Sequence, residues 1–197
     1  MEVITAPPRA SSRTAVFQKM FDICKSVKAA GPYLIVEIGT FRGDFEGDGG
    51  STYFFAKWLS ENGGGKLHSV DNNPQAIEIS RNVCKEFDRY IEWHNMRSED
   101  FLRTFHEHID MVYLDSIGWR KDGVDQFTCQ YQHLKDWMLV KDRLNGALGI
   151  DDTDGLKYGK GAQIVAYLNG KGVPWQTVYC VEHGKWPCGV VAEWRYR

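Results

Sequence analysis

The stretch that decides the fold is Tyr33-Leu34-Ile35-Val36-Glu37-Ile38-Gly39-Thr40. Its first six residues are almost continuously apolar, as expected of a short strand that is buried on both faces of a sheet. A glycine-rich loop follows, and Ser51-Thr52 then opens an apolar segment with the spacing of a helix. A buried strand, a loop and a helix in this order predict the first unit of a parallel α/β sheet.

The same alternation of strand and helix continues along the chain. Strands are predicted at residues 33–38, 66–70, 90–93, 111–114, 147–150, 176–181 and 189–194, and helices at 12–28, 52–60, 74–87, 98–105, 126–144 and 162–169. The pattern predicts an α/β fold with a doubly wound, Rossmann-like, seven-stranded and mostly parallel sheet. The last two strands are too close in sequence for a parallel crossover, so we expect an antiparallel last strand. We expect a single domain over residues 1–197, with a loose arm at 1–10 and a helical segment at 11–31.

Composition and charge restrict the class of protein. The 197 residues are 43% apolar and 25% charged, which is typical of a globular chain. Lys and Arg number 24 against 26 Asp and Glu, so the chain lacks the basic excess of proteins that bind nucleic acid or anionic membranes. Five cysteines form no CxxC pair, and residues 1–14 contain no apolar signal segment. We therefore expect a cytoplasmic protein with reduced thiols and a small-molecule partner, without nucleic acid or membrane, and leave a homo-oligomer open.

Polar residues directly after the strands are the candidates for ligand binding, because ligands of open α/β sheets bind at the carboxyl ends of the strands. The glycine loop after the first strand suits close approach to a nucleotide-like ligand, although an ordinary strand-to-helix turn also explains it. Asp71 follows the second strand, where it would accept hydrogen bonds from a ribose diol or support the helix start at Asn73-Pro74. Ser98 and Glu99 follow the third strand, as an adenine rim or a helix cap.

Three aspartates follow the fourth and fifth strands. Asp115 ends the fourth strand, and Asp151 and Asp152 end the fifth. Carboxylates gathered at one sheet edge repel one another unless a positive charge lies between them, and a Mg²⁺ ion with oxygen ligands would supply it. The alternative is that these aspartates cap helices or turns. Asp152 is the least certain ligand, because successive side chains of an extended segment face opposite sides.

Taken together, these motifs resemble those of the class I S-adenosylmethionine-dependent methyltransferases. The residues that carry the resemblance are Val36-Glu37-Ile38-Gly39-Thr40, Gly49-Gly50-Ser51-Thr52, Asp71, Tyr113-Leu114-Asp115 and Ile150-Asp151-Asp152. More closely, residues 32–195 are similar to the small O-methyltransferases of methyltransferase family 24, the macrocin-type and catechol O-methyltransferase-like group.

The resemblance implies a role for each matching position. The cofactor-binding residues would be Glu37, Gly39, Thr40 and Ser51 at the methionine end, Asp71 and Asn72 at the ribose, and Ser98, Glu99 and Trp119 at the adenine. Asp115, Asp151 and Asp152 would ligate Mg²⁺, and Lys121 would act as the base. Sugar-modifying relatives carry a histidine directly after the fourth-strand aspartate, where this chain has Ser116, and His133 is a candidate to replace it.

The resulting expectation is Mg²⁺-assisted transfer of a methyl group from S-adenosylmethionine to a hydroxyl oxygen of a small molecule, with Asp115, Lys121 and His133 as catalytic candidates. A non-catalytic binding protein of the same fold is one alternative. A nicotinamide-dependent oxidoreductase is another, disfavoured because the first loop is not GxGxxG. Residues 43–48 extend that loop with glycines and acids around Phe45, and we expect them to bury little surface and to be mobile.

Overall fold

The structure, a computed structural model, describes residues 13–43, 45, 49–117, 125–153, 159–179 and 187–195. The helices are α1 Thr14–Val27, α2 Ser51–Glu61, α3 Pro74–Val83, α4 Ser98–Thr104, α5 Gln126–Val140 and α6 Ala162–Gly170. The strands are β1 Tyr33–Ile38, β2 Gly65–Asp71, β3 Ile91–Asn95, β4 Ile109–Leu114, β5 Leu144–Asp151, β6 Trp175–Tyr179 and β7 Pro187–Trp194. Short 3-10 helices occupy Lys85–Tyr90 and Gly159–Gly161.

The seven strands form one sheet in the order β3-β2-β1-β4-β5-β7-β6. β1 to β5 pair in parallel, and β7 runs antiparallel to both β5 and β6. The predicted doubly wound sheet with an antiparallel last strand is confirmed. The strand order reverses between β1 and β4, so the loops after these two strands diverge and leave a crevice at the carboxyl edge, where ligands of such sheets bind.

The sheet is covered on both faces by apolar packing. Along β4, Met111 and Tyr113 belong to the cluster beneath α1 and α2, whereas Val112 and Leu114 belong to the cluster beneath α5 and α6. Both pairs are almost completely buried. This two-sided burial explains why the strands read as continuous apolar runs, and it fixes the strand ends that carry the candidate site.

Two predicted helices are shorter in the structure. The helix expected over 74–87 ends at Val83, because the Phe87 amide bonds to the Cys84 carbonyl and tightens the chain into a 3-10 turn. The helix expected over 126–144 ends at Val140, because Leu144 already pairs with Ile109 in the sheet. A 3-10 turn ends the first helix and sheet pairing ends the second, although the helical spacing continues in both places. No helix among the described residues is long and apolar enough to span a bilayer.

Phe45 contradicts the expectation that the extended first loop buries little surface. Its side chain is only 7% exposed, and its ring centroid lies 4.6 Å from that of Phe41 and 5.5 Å from that of Tyr53. The Phe45 ring therefore packs into the core. Asp44 and residues 46–48 lie outside the described residues.

Cys24 and Cys84 are buried free thiols, as expected, and Cys129 is buried as well. The thiol group of Cys188 and all of Cys180 lie outside the described part of the chain.

Candidate active site

Gly39 follows β1 and lies against Asp115, which follows β4, at the centre of the carboxyl edge of the sheet. Its φ of +88° lies in the left-handed region, and a Cβ at this position would stand 2.2 Å from the Asp115 carbonyl oxygen. The Gly39 amide bonds to the Val70 carbonyl at 2.9 Å, and the Asp115 amide bonds to the Ile38 carbonyl at 2.8 Å. Only glycine satisfies both the conformation and the close approach, which places Asp115 beside the first loop.

Glu37 lies beneath this loop and is fully buried. Its Oε2 accepts hydrogen bonds from the hydroxyls of Thr52, at 2.7 Å, and Ser69, at 2.6 Å. Its Oε1 has no hydrogen-bond partner among the described residues. Burial raises the pKa of this carboxyl group to about 7. Ser51, the first residue of α2, is also buried, 4% exposed.

Asp71 ends β2 at the wall of the crevice. Its Oδ2 accepts a hydrogen bond from the Thr40 amide at 3.1 Å, and its Oδ1 accepts one from the Asn73 amide at 2.8 Å. The Asn73 side chain caps α3 by accepting a hydrogen bond from the Gln75 amide, so this segment supports the helix start as expected, and the ribose contact of Asp71 stays a prediction. Each carboxylate oxygen of Asp71 keeps a lone pair with which to accept a hydroxyl of a diol.

Two adjoining cavities open at this edge, with volumes of about 260 and 250 Å³. They share the lining residues Gly39, Asp71, Asn72, Ser116 and Ile117. The first extends to Met96, Arg97, Ser98 and Gln132, and the second to Thr40, Arg42 and Asp115. The structure thus brings five of the predicted cofactor-binding residues to the crevice: Gly39, Thr40, Asp71, Asn72 and Ser98.

The predicted adenine side differs in detail. Ser98 lines the cavity and donates to Asp136 Oδ1 at 2.8 Å, whereas Glu99 pairs with Lys135 Nζ at 2.6 Å and is not among the described residues that line it. Asp136 is buried in α5, and burial raises its pKa to about 6. The sequence gives no signal for Asp136, because a lone acid inside a helical pattern looks like a solvated residue. Nor does it mark Met96, which lines this cavity and is 41% exposed.

The three aspartates come together as the sequence predicts. One carboxylate oxygen from each of Asp115, Asp151 and Asp152 lies within 4.8 Å of the other two. Asp152 has a φ of +45°, which breaks the alternation of an extended segment and lets consecutive carboxylates join one cluster. The doubt about Asp152 rested on regular strand geometry, which ends at Asp151.

Two basic side chains pair with this cluster, and no sequence motif marks either of them. Lys160 Nζ lies 2.7 Å from Asp115 Oδ1 and 2.8 Å from Asp152 Oδ2. Arg13 Nε lies 3.0 Å from Asp151 Oδ1, and its Nη2 lies 2.9 Å from Asp152 Oδ1. Lys160 is 45 residues from Asp115, and Arg13 is 138 and 139 residues from Asp151 and Asp152, so local spacing gave no signal for these ion pairs.

A divalent ion does not fit the cluster in this arrangement. Mg²⁺ needs carboxylate and water oxygens around an open centre. Here Lys160 Nζ bonds to two of the three carboxylates, and the lysine is only 1% exposed. An ion would have to displace that buried ammonium group.

Of the remaining predicted site residues, Trp119 and Lys121 lie outside the described residues, whereas His133 is described. His133 is fully buried in α5, and its Nδ1 faces the Cys129 carbonyl at 2.9 Å, which fixes the ring proton on that nitrogen. Burial and the nearby Lys160 charge lower its pKa to about 3, so the ring is neutral at physiological pH. Its Nδ1 also lies 3.5 Å from the hydroxyl of Ser116, which lines both cavities.

A second group of metal-type ligands, His68, Glu92 and His94, lies on β2 and β3 away from the aspartates. His68 Nδ1 and His94 Nε2 are 3.0 Å apart in nearly coplanar rings, with an interplanar angle of 22°. This geometry is that of a hydrogen bond between neutral imidazoles, and burial lowers the pKa of both.

Comparison with known proteins agrees with the fold and the crevice. Residues 36–152, more than half of the chain, match the family model of a methyltransferase domain. The chain belongs to this family, and with it to the class I S-adenosylmethionine-dependent methyltransferases. No curated protein matches the chain.

Solved structures share the fold at low identity. An rRNA methylase from Streptococcus thermophilus superposes with a TM-score of 0.63 at 16% identity, over 98% of this chain and 99% of that one. The N-methyltransferase NodS from Bradyrhizobium japonicum WM9 gives 0.58 at 17% identity, over 90% and 92%. A Streptococcus mutans protein in complex with SAH gives 0.58 at 12% identity, over 91% and 97%.

Proposed function

We propose that this protein transfers a methyl group from S-adenosylmethionine to a hydroxyl oxygen of a small molecule. The observation that carries the proposal is the position of the charged cluster. Asp115, which pairs with Lys160, lines the same cavity as Gly39 and Asp71. A carboxylate held by a buried cation thus lies beside the crevice, where Asp115 would accept a hydrogen bond from the acceptor hydroxyl and orient it toward the methyl group.

The residues present fit the cofactor. Asp71 offers one free lone pair on each carboxylate oxygen at the cavity wall, for the ribose hydroxyls. Glu37, which is buried beneath Gly39 and the first loop, would accept a hydrogen bond from the amino group of the methionine end through its Oε1. Ser98, Met96 and Gln132 line the part of the crevice assigned to the adenine. When bound, the cofactor supplies an electrophilic methyl group on its sulfonium.

The chain's own residues would hold the acceptor and manage its proton. The acceptor would bind on the side of the crevice that Asp115 and Arg42 line. Lys121 remains the proposed proton acceptor, whereas His133, whose pKa burial and the Lys160 charge lower to about 3, is too weak a base for that role at physiological pH. Magnesium assistance is not part of the proposal, because Lys160 lies between the carboxylates that would bind the ion.

The expectation that nucleic acid is excluded as a partner is not supported. Charge balance argued against RNA, yet a solved structure that shares the fold is an rRNA methylase. Fold does not decide the acceptor. The net charge of -2 supports a small molecule, and RNA is therefore an outcome to be tested rather than dismissed. The cytoplasmic location and the homo-oligomer stay predictions.

The experiment has two stages. Calorimetric titration with S-adenosylmethionine and its demethylated product tests cofactor binding, with NAD as the comparison ligand. Transfer of a labelled methyl group is then measured against phenols, sugars, small amines and total RNA. Label in an ether linkage of a phenol or sugar supports the proposal. Label in RNA or on nitrogen overturns the acceptor assignment, saturable NAD binding favours an oxidoreductase, and cofactor binding without transfer to any acceptor favours a binding protein.

A further inference from the structure

We infer that the ammonium group of Lys160 takes the place of a divalent cation in the aspartate cluster, so that this methyltransferase works without a metal ion there. The inference deepens the proposed methyl transfer and rests on it for its catalytic meaning. Its structural part, that the cluster excludes divalent ions because Lys160 fills it, stands on the contacts alone.

The position of Lys160 is built by the fold. The 3-10 turn Gly159–Gly161 packs against α5, where the Gln130 side chain donates to the Gly159 carbonyl at 2.9 Å. The Lys160 amide also bonds to the Asp152 carbonyl at 3.2 Å. These two contacts hold the lysine backbone between α5 and the end of β5. A buried lysine in this turn has few ways to direct its charge other than toward the carboxylates.

The charges of the cluster nearly balance. Three carboxylates face one ammonium and one guanidinium, which leaves one negative charge before any ligand binds. The carboxylates raise the pKa of Lys160 above its ordinary value, so the side chain stays charged. A Mg²⁺ ion entering beside both cations would face like charges at short range, whereas an ion replacing Lys160 would force a buried ammonium group away from its partners.

The ammonium group acts through its carboxylate partners. It carries three N–H donors, and the described residues engage two of them, through Asp115 and Asp152. Lys160 is only 1% exposed and is not among the described residues that line the two cavities, whereas Asp115 lines one of them. Lys160 is therefore a positioning residue for Asp115, and its raised pKa makes it unsuitable as a base. Arg13, which bonds to Asp151 and Asp152, is a positioning residue.

Removal of the ammonium group tests the inference directly. Mn²⁺ serves as the probe, because free and bound Mn²⁺ are distinguished by electron paramagnetic resonance without any acceptor substrate. The wild-type protein is expected to bind no Mn²⁺ that depends on Asp115. Lys160→Ala is expected to bind one equivalent, and the double variant with Asp115→Asn is expected to lose it. Lys135→Ala, which breaks the pair with Glu99, is the matched control and is expected to behave as wild type.

Each other outcome contradicts the inference. Wild-type binding that Asp115→Asn abolishes identifies a working metal site, and absence of binding in Lys160→Ala shows that the lysine does not fill a cation position. His94→Gln in the same backgrounds separates any binding at His68, Glu92 and His94. If Lys160→Ala and Lys160→Ser do not fold, Mn²⁺ is added during refolding, where recovery of the folded protein supports the inference and no recovery overturns it. Failure of methyl transfer to hydroxyl acceptors would overturn the proposed function and leave these metal titrations readable.

Discussion

Ser69 Oγ lies 2.6 Å from Glu37 Oε2, and this hydrogen bond links β2 to β1 directly beneath the cofactor crevice. Thr52 Oγ1 donates to the same oxygen at 2.7 Å, and it also accepts from the Phe41 amide at 3.0 Å. One buried carboxylate thus connects two strands, the first loop and the start of α2. No cation lies among the described contacts of this buried carboxyl group. Its burial therefore lowers the stability of the protein, while it keeps a hydrogen-bond acceptor beneath the crevice.

The Glu37 carboxyl group predicts a pH dependence of stability. Its pKa is raised from 4.5 to about 7, so the folded state binds this proton more tightly than the unfolded state does. The stability that this gives is fully present below pH 4.5 and is lost as the pH rises through 7. The free energy of unfolding of the cofactor-free protein is expected to fall over this window, by at most about 3 kcal/mol, from the shift at 1.36 kcal/mol per pKa unit. Urea unfolding across this range measures it. Glu37→Gln should flatten the curve, whereas Glu61→Gln, at an exposed site, should not; parallel curves for wild type and Glu37→Gln would contradict the assignment.

The same group predicts a pH dependence of cofactor affinity. If Glu37 accepts the amino group of the methionine end, the carboxyl group must lose its proton on binding. Affinity for S-adenosylmethionine is then expected to rise about tenfold from roughly pH 5.5 to 7. Calorimetry in buffers of different ionisation enthalpy should detect the released proton. Glu37→Gln should bind more weakly and release none. Equal proton release by wild type and variant would assign the titration to another group.

Asp71 predicts the contribution of the ribose contact. Asp71→Asn keeps the shape and one oxygen of the side chain but removes the charge that strengthens hydrogen bonds to the diol. We expect weaker binding of S-adenosylmethionine by about 1.5 to 3 kcal/mol, which is roughly 10- to 150-fold. Titration calorimetry measures it, with Asp22→Asn on the exposed face of α1 as the control. An affinity within twofold of wild type would show that Asp71 serves only the backbone of the Thr40 and Asn73 segment.

Local patterns predicted the fold well because each strand carries its own signal. An apolar run such as residues 33–38 predicts a strand buried on both faces, whichever strands it pairs with. The residues that follow such strands meet at one edge of the sheet because the strands are parallel. That reasoning placed Gly39, Asp71 and Asp115 correctly around the crevice. The same strand ends predicted that the three aspartates lie close together and that a positive charge lies among them.

The identity of that positive charge was beyond local reasoning. Arg13 reaches Asp151 and Asp152 across more than 130 residues, and the sequence around Lys160 shows no metal or base pattern. Long-range ion pairs leave no periodicity, so a divalent ion was the economical inference from carboxylates alone. Likewise, glycines and acids around Phe45 masked a ring that packs on Phe41. The composition of a segment does not show whether one particular side chain in it, such as that of Phe45, is buried.

Phe45 predicts a measurable loss of stability. Its ring packs against Phe41, Tyr53 and Phe54, with centroid distances from 4.6 to 6.2 Å, and it is nearly fully buried. Phe45→Ala is expected to lower the free energy of unfolding by about 3 kcal/mol, the lower part of the range for a buried aromatic residue. Urea unfolding measures it. Phe127→Ala, at a site 76% exposed, should stay within about 0.5 kcal/mol of wild type. A comparably small loss for Phe45→Ala would mean that the loop is not anchored in solution.

The contact between Arg13 and Asp151 predicts strong thermodynamic coupling between the start of α1 and the end of β5. Arg13 bonds to both carboxylate oxygens of Asp151, at 3.0 and 3.3 Å, and Asp151 is only 2% exposed. Removing one partner of a buried ion pair leaves an uncompensated charge, so Arg13→Met is expected to cost about 3 to 5 kcal/mol of stability. Asp151→Asn removes the charge that would be left behind.

The double variant Arg13→Met/Asp151→Asn should therefore be more stable than the sum of the single losses predicts, by about 1 to 3 kcal/mol. A double-mutant cycle in urea measures this coupling. Arg103→Met, whose guanidinium is largely exposed and lies 4.0 Å from Glu99, is the matched control and should change stability by less than about 1 kcal/mol. Strict additivity would mean that Arg13 and Asp151 do not contact each other in solution. The aspartate cluster would then hold one fewer positive charge than the structure gives it, and the case against a metal ion would rest on Lys160 alone.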